Sequence, residues 1–303
     1  MEAFISSLPG AVAQGIIWGI MAIGVYLTYR VLDVADLTVD GSIATGGAVL
    51  VMCVVNGVDV RIAMIISFLV GCLAGLITGI FHTAFGIPAI LSGILTQLAL
   101  YSINLRILGG KANQTLSVAK YDLVVSLRYI NKSILIVAVF TVALIALLYW
   151  FFGTEMGHSI RATGCNQAMA RANGINTKTR IIIGFVLSNG IVALSGALLV
   201  QYQGFADVNM GRGAIVIGLA AVIIGEVVFG KIFKNFALKL LSVVFGGIIY
   251  YVVITAVLRM GLNANDLKML TALVVALFLA IPYWKSKIAP KKVKSKKGGV
   301  KNA

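Results

Sequence analysis

Residues 62 to 105 read IAMIISFLVGCLAGLITGIFHTAFGIPAILSGILTQLALYSINL, 44 consecutive positions without Asp, Glu, Lys or Arg. A helix rising about 1.5 Å per residue crosses the hydrocarbon core of a bilayer in about 20 residues, so this stretch is two crossings. Gly86 and Pro88 supply the break between them. Backbone groups inside a membrane must be bonded internally, and continuous apolarity is not the alternating pattern of about 10 residues that an outer-membrane barrel strand needs. The stretch therefore sets the fold class: an all-α polytopic membrane protein.

Working outward, further runs without charge extend from Ala3 to Tyr29, Ser133 to Thr154, Ile181 to Ala206 and Leu240 to Leu258. Of the 303 residues, 60% are apolar and 12% charged, against about 45–50% and about 25% in ordinary soluble domains. Mean hydropathy is +1.01. Spans are expected at 12–30, 41–55, the two halves of 62–105, 133–152, 180–202, a shorter one at 213–229, 237–257 and 268–284, about nine transmembrane helices. The basic segments 153–180 and 231–239 belong on the cytoplasmic side, which puts the N-terminus outside and the C-terminus in the cytoplasm. Segment 106–132 carries five cations against Asp122, yet falls outside by this count. It is either a solvated loop or a face for an acidic partner.

Lys plus Arg exceeds Asp plus Glu by 15, and eight lysines lie between Lys285 and Lys301 with no acid among them. Residues 285–303 are expected to be a polybasic cytoplasmic tail on anionic membrane lipid, following a membrane domain at 1–284. Without interleaved aromatics, a nucleic-acid role is disfavoured. The opening MEAFISSLPG lacks a basic region before a short apolar core, so the first span is expected to stay in the chain. Cys53, Cys72 and Cys165 form no CxxC pair and read as small apolar fillers, with no metal site implied.

An internal echo adds detail. Ala35-Asp-Leu-Thr-Val-Asp-Gly-Ser42 resembles Ala206-Asp-Val-Asn-Met-Gly-Arg-Gly213, and each follows a long span and precedes a short one. The long spans are five crossings apart, so the two units run in opposite directions, as in transporters built from inverted repeats with helices broken near the membrane midplane. Asp36, Asp40, Ser42, Asp207, Asn209 and Arg212 then border a translocation path, with Gln97 and Gln203 as further candidates. The alternative places Asp33, Asp36 and Asp40 in a short aqueous loop after Arg30. Ser92 and Thr96 are expected to bond across packed helices.

No GxxxxGK[ST] loop, HExxH or nucleophilic triad occurs, so the chain is not expected to be an enzyme and no cofactor is expected in it. His82 and His158 stand alone. The segment from Gly157 to Asn176 reads as a short helix from about Gly164 to Asn173, with Thr163 as N-cap and Gly174 just past its end. So short a helix is marginal by itself in water and must dock on something. Ala168 and Ala172 leave one face bare, and Met169 offers an adaptable contact. The choice is between a connector packed on its own membrane domain and a lever for a partner.

Arg161-Ala162, Asn166, Met169-Ala170, Gly174-Ile-Asn-Thr177, Ser195-Gly196 and the Gln203-Gly204-Phe205 turn together resemble the permease subunits of bacterial ABC importers. These belong to the branched-chain amino-acid type and a related group linked to tryptophan and tyrosine uptake. The Asp36-Leu-Thr-Val-Asp-Gly-Ser42 string is similar to the aromatic-linked group and departs from the Asn-Phe-Ala-His-Gly string of branched-chain permeases. The resemblance implies a type II-like importer permease fold in the bacterial cytoplasmic membrane. It also implies a cytoplasmic coupling segment at about 155–178 seated on a separate ABC ATPase that carries ATP and Mg. Arg161, Thr163, Gly164, Asn166, Ala168, Met169, Arg171, Ala172 and Gly174 would make that contact. A second permease copy and an extracellular lipoprotein or periplasmic binding protein complete the implied assembly, which would import a small solute, most simply an amino acid, aromatic ones included. An ion-coupled secondary transporter is the alternative class.

Overall fold

The computed structural model describes residues 2–259 apart from 119, together with scattered helical positions between 269 and 280. The tail at 285–303 and about half of the span expected at 268–284 lie outside the described residues. Helix α1 (Glu2–Tyr26) continues as a π-helical turn at Leu27–Val31. There follow α2 (Val39–Val55), α3 (Val60–Thr83), α4 (Ala89–Ile107), a short strand β1 (Asn113–Thr115), α5 (Ile130–Phe152), α6 (Glu155–Cys165), α7 (Gln167–Ala172), α8 (Thr177–Gln203), β2 (Phe205–Asp207), α9 (Ala214–Phe229) and α10 (Phe236–Arg259). Among the described residues six helices are long and apolar enough to cross a membrane, while α2 and α9 are apolar but shorter. The break in the 62–105 run falls where expected. Gly86 takes φ +71 and Pro88 stands at the N-cap of α4 with ψ 139.

The centre of the bundle is α8, which is buried along most of its length, surrounded by α1, α2 and α3. Helices α1 and α8 run antiparallel, tied by a ladder at seven-residue spacing. Ser188 Oγ donates to the Gly24 carbonyl at 2.7 Å, Ser195 Oγ to Ile17 at 2.7 Å, and Tyr202 Oη to Gly10 at 3.2 Å. With no hydrophobic drive between helices in lipid, close approach of small residues and such cross-helix bonds hold a membrane bundle together. Gly71 and Gly75 of α3 lie directly on Ala193 and Phe185 of α8. On the other side of the bundle, a methyl at Gly15 of α1 would sit 2.7 Å from Ile248 Cα of α10, and one at Gly19 would sit 3.0 Å from Val244 Cα. The arrangement of α8 with α3 and α2 is thus repeated, inverted, by α1 with α10 and α9.

The Ladder places the start of α1 and the end of α8 on one face. Segment 106–132 lies there too and is folded rather than a plain solvated loop: β1 pairs antiparallel with β2, and Leu108, Leu116 and Val125 are buried. The Val124 N–H donates to Gln201 Oε1 at 3.1 Å, fixing the segment to the last turns of α8. Its cations are carried on the surface of a lid whose apolar residues bind it to the bundle. On the opposite face lie the ends of α1 and α9, with α6 and α7. There the Arg30 guanidinium donates to Glu226, the one ion pair among the described residues.

Candidate functional site: the broken-helix junction and the exposed lever

Two regions stand out, one inside the bundle and one on the face that carries α6. At the first, the start of α2 meets the start of α9. The two connectors adopt the same local geometry at matching repeat positions. Asp36 Oδ1 accepts the Thr38 N–H at 2.9 Å, and Asp207 Oδ1 accepts the Asn209 N–H at 2.6 Å. These are Asx turns, in which a short carboxylate bonds the backbone two residues on. From this junction α2 runs to the face bearing 106–132 and α9 to the face bearing Arg30 and Glu226.

Asp40, in the first turn of α2, caps α9: its carboxylate accepts from the Gly213 N–H at 2.9 Å and the Ile215 N–H at 2.8 Å. The positive end of a helix macrodipole and its unbonded N–H groups favour a carboxylate there. Gly211 lies flat on the Asp40 carbonyl, where no side chain would fit. Asp36 is only 1% exposed. Its Oδ2 accepts from Asn189 Nδ2 at 2.7 Å, while Asn189 Oδ1 accepts from Ser42 Oγ at 2.6 Å and the amide also donates to the Phe185 carbonyl at 3.0 Å. Beside it runs a hydroxyl chain, with Thr38 and Thr78 at 2.8 Å and Thr78 donating to Thr96 at 2.9 Å. The Thr96 hydroxyl in turn donates to the Ser92 carbonyl at 3.0 Å.

Asp36 is therefore not in an aqueous loop, and Asp36 and Ser42 are enclosed and bonded to protein groups. Asp33, by contrast, is exposed, at φ +56. Of the other path candidates, Gln97, Gln203 and Asp207 are partly buried, and Asn209 and Arg212 are exposed. Gln97 stays close to the junction, since a methyl at Gly41 would sit 3.1 Å from its Cα. Asn189 is the residue that sequence reasoning missed. The signal was there: an amide in the middle of a charge-free span needs bonded partners. Glu226, an acid inside the short span 213–229, gave the same kind of signal.

The second region corrects the expected helix at 164–173. Two helices occupy it. Thr163 is not an N-cap but a buried residue of α6 whose hydroxyl donates to the Ser159 carbonyl at 2.8 Å. The break comes at Asn166, whose extended backbone and side chain start α7: Oδ1 accepts the Met169 N–H at 3.0 Å. The end of α7 is a Schellman closure, with Ile175 N–H to the Ala170 carbonyl at 3.1 Å and Gly174 N–H to Arg171 at 3.0 Å. Gly174 takes φ +78, which is why a glycine stands there.

Only Ala170 of α7 is buried. Asn166, Ala168, Met169, Arg171, Ala172 and Gly174 are exposed, Met169 at 66%. Helix α6, in contrast, is seated on the bundle: Gly164 lies directly on the Val31 carbonyl, and Gly184 of α8 lies on Leu32. Arg161 of α6 is exposed and its guanidinium sits 5.4 Å from the Phe236 ring centroid. Cys165 is exposed rather than a buried filler, whereas Cys53 and Cys72 are partly buried. The lone histidines bond to backbone carbonyls, His82 to Ile87 at 2.9 Å and His158 to Thr154 at 2.8 Å.

The comparisons with known proteins agree with this architecture. Residues 8–285 match the family model described as the branched-chain amino acid transport system / permease component. The chain is 39% identical over 275 residues to a tyrosine transport system permease protein of Clostridioides difficile (strain R20291), covering 91% of each chain. It is 30% identical over 211 residues to the autoinducer 2 import system permease protein LsrC of Escherichia coli O9:H4 (strain HS), covering 69% of this chain and 60% of that one. Among solved structures, PsaBC from Streptococcus pneumoniae in complex with Fab is similar in fold, with TM-score 0.50, 18% identity, and coverage of 96% of this chain and 97% of that one. With the family matched along nearly its whole length, the chain belongs to the branched-chain amino acid transport system permease family and is a multi-pass membrane permease component of an ABC-type transport system.

Proposed function

We propose that this chain is the membrane-spanning subunit of an ATP-driven importer that moves an amino acid, most simply an aromatic one, into the cytoplasm. The observation that carries the reading is α7: a capped, almost fully exposed helix held by α6 on the end of α1 and the start of α8. A lever so placed transmits force from a partner to both inverted units at once. The partner is an ABC ATPase carrying ATP and Mg, seated on Ala168, Met169, Arg171 and Ala172, so the face with α6 and α7 is cytoplasmic. The N-terminus and segment 106–132 then face outward, toward a substrate-binding lipoprotein or periplasmic protein. A second permease copy completes the path, bordered by Gln97, Asn209 and Arg212. The aromatic substrate class is supported by the tyrosine permease relative and by the Asp36–Ser42 string.

ATP-driven closure of the ATPases would draw paired levers together and exchange outward-open and inward-open states, each partner needing only a different affinity for the two. The test is co-expression with an ABC ATPase subunit that copurifies with this chain, followed by ATP hydrolysis assays. Ala168→Trp or Ala172→Trp should abolish hydrolysis stimulated by the loaded binding protein while membrane insertion stays intact. Normal stimulated hydrolysis in both variants would overturn the lever role.

A further inference from the structure

Where α5, α6 and α10 come together on the face bearing the lever, there is a recess of about 640 Å³. Three basic side chains line it, His158, Arg161 and Lys234, and no carboxylate does. Glu155, at the start of α6 just after Thr154, is not among the lining side chains, Glu226 is engaged with Arg30, and no carboxylate lies within ion-pair distance of Arg161 or Lys234 among the described residues. The His158 ring is already tied through Nδ1 to Thr154, and the Arg161 guanidinium is steered by the Phe236 ring rather than by an acid. Two permanent cations are thus held in a concave, partly apolar setting without a counter-ion.

The rim says which kind of anion suits the recess. The recess is bordered by Tyr149 and Trp150 in the last turn of α5, 49% and 72% exposed. Helix α5 is the least enclosed of the long helices, with 22% of its span buried, so its outer surface is a lipid-facing one. Tyr and Trp at the end of such a helix sit at headgroup level, each ring half in hydrocarbon. A soluble anion has no need of that border, whereas a phospholipid needs it for its glycerol and upper acyl chains. We infer that this recess is the headgroup seat of an anionic phospholipid, with the phosphodiester between Arg161 and Lys234 and the glycerol backbone against Trp150. Basic pockets between helix ends on the cytoplasmic side recognise acidic headgroups in this way. The seat goes beyond the transport reading and does not depend on it, since it requires neither ATPase nor substrate.

The test uses the full-length chain reconstituted in bilayers of phosphatidylcholine mixed with brominated phosphatidylglycerol or, at equal mole fraction, brominated phosphatidylcholine. Bromine quenches tryptophan fluorescence on contact, and the contribution of Trp150 is obtained by difference from a Trp150→Phe chain. Quenching of Trp150 should require several-fold less brominated phosphatidylglycerol than phosphatidylcholine, with about a fivefold preference from each full cation. Arg161→Gln combined with Lys234→Gln should erase the preference, while Lys231→Gln with Lys239→Gln, which removes the same charge from outside the recess, should retain it. Added inorganic phosphate should not compete. Equal quenching by the two lipids, equal loss in both double variants, or displacement by free phosphate would each overturn the assignment. Native mass spectrometry of the detergent-solubilised wild-type chain offers a second reading, with retained phosphatidylglycerol expected and its absence contradicting the seat.

Discussion

The carboxylate of Asp40 closes the N-terminus of α9 by bonding Gly213 and Ile215, although 173 residues separate Asp40 from Gly213. One inverted unit thereby supplies the cap for the other. Helix caps of this kind contribute about 0.5–2 kcal/mol, and a charge on the dipole adds up to about 1 kcal/mol more. Asp40→Ala should lower thermal stability in detergent by about 2 kcal/mol, and Asp40→Asn, which keeps one acceptor, by about half of that. Melting followed by intrinsic fluorescence reads the difference, and indistinguishable variants would show that the cap carries no weight.

The Asp36–Asn189 contact makes a different demand. Removing one partner so that a buried polar group is left unsatisfied costs about 1–3 kcal/mol. Asn189→Ala should therefore be among the most damaging conservative truncations in the chain. Asp36→Asn should be milder, and the double variant Asp36→Asn with Asn189→Ala should fall short of the sum. A double-mutant cycle on folded yield and melting temperature measures that coupling.

Gly46 and Gly10 should respond in opposite ways to the same change. A methyl at Gly46 would run into the Ala193 carbonyl, deep where α2 crosses α8, whereas at Gly10 it would meet only the Tyr202 hydroxyl at 3.6 Å. Gly10→Ala should be neutral or stabilising, because alanine is worth up to about 1 kcal/mol over glycine inside a helix. Gly46→Ala should sharply reduce the yield of folded protein in size-exclusion chromatography.

The lever separates stability from coupling. Asn166→Ala removes the cap of α7, at a cost of about 1 kcal/mol confined to that helix, so it should weaken ATPase association while the global melting temperature stays put. Met169 is 66% exposed, so Met169→Ala should change association with little effect on the melting temperature. Binding of the ATPase subunit to immobilised permease distinguishes these outcomes from a general folding defect.

What could be read from the residue string follows from the range over which each feature is determined. The crossings at 62–83 and 89–105 depend on local composition and on Gly86 and Pro88, and they stand where periodicity and length put them. The repeat at 35–42 and 206–213 was visible because an Asx turn is a local structure with a local signature. The split of 164–173 into two helices was not: Gly164 stays in α6, where it packs on the Val31 carbonyl, a contact made across the fold, and the second helix starts only at Asn166. Segment 106–132 misled for the same reason. Its charges are adjacent in the chain, but the partners of Leu116 and Val124 are near residue 200.

The three hydroxyl bonds from Ser188, Ser195 and Tyr202 share one interval along both helices. Any axial slip of α1 against α8 shorter than that interval would sever all three together, so the pair acts as a keel that rotates or tilts whole but does not telescope. A working stroke must then be absorbed elsewhere, in the unwound connectors at 32–38 and 208–213 that flank the keel at opposite ends. Freezing either connector, by a disulfide or a rigid insert, should stall the cycle without disturbing the bundle.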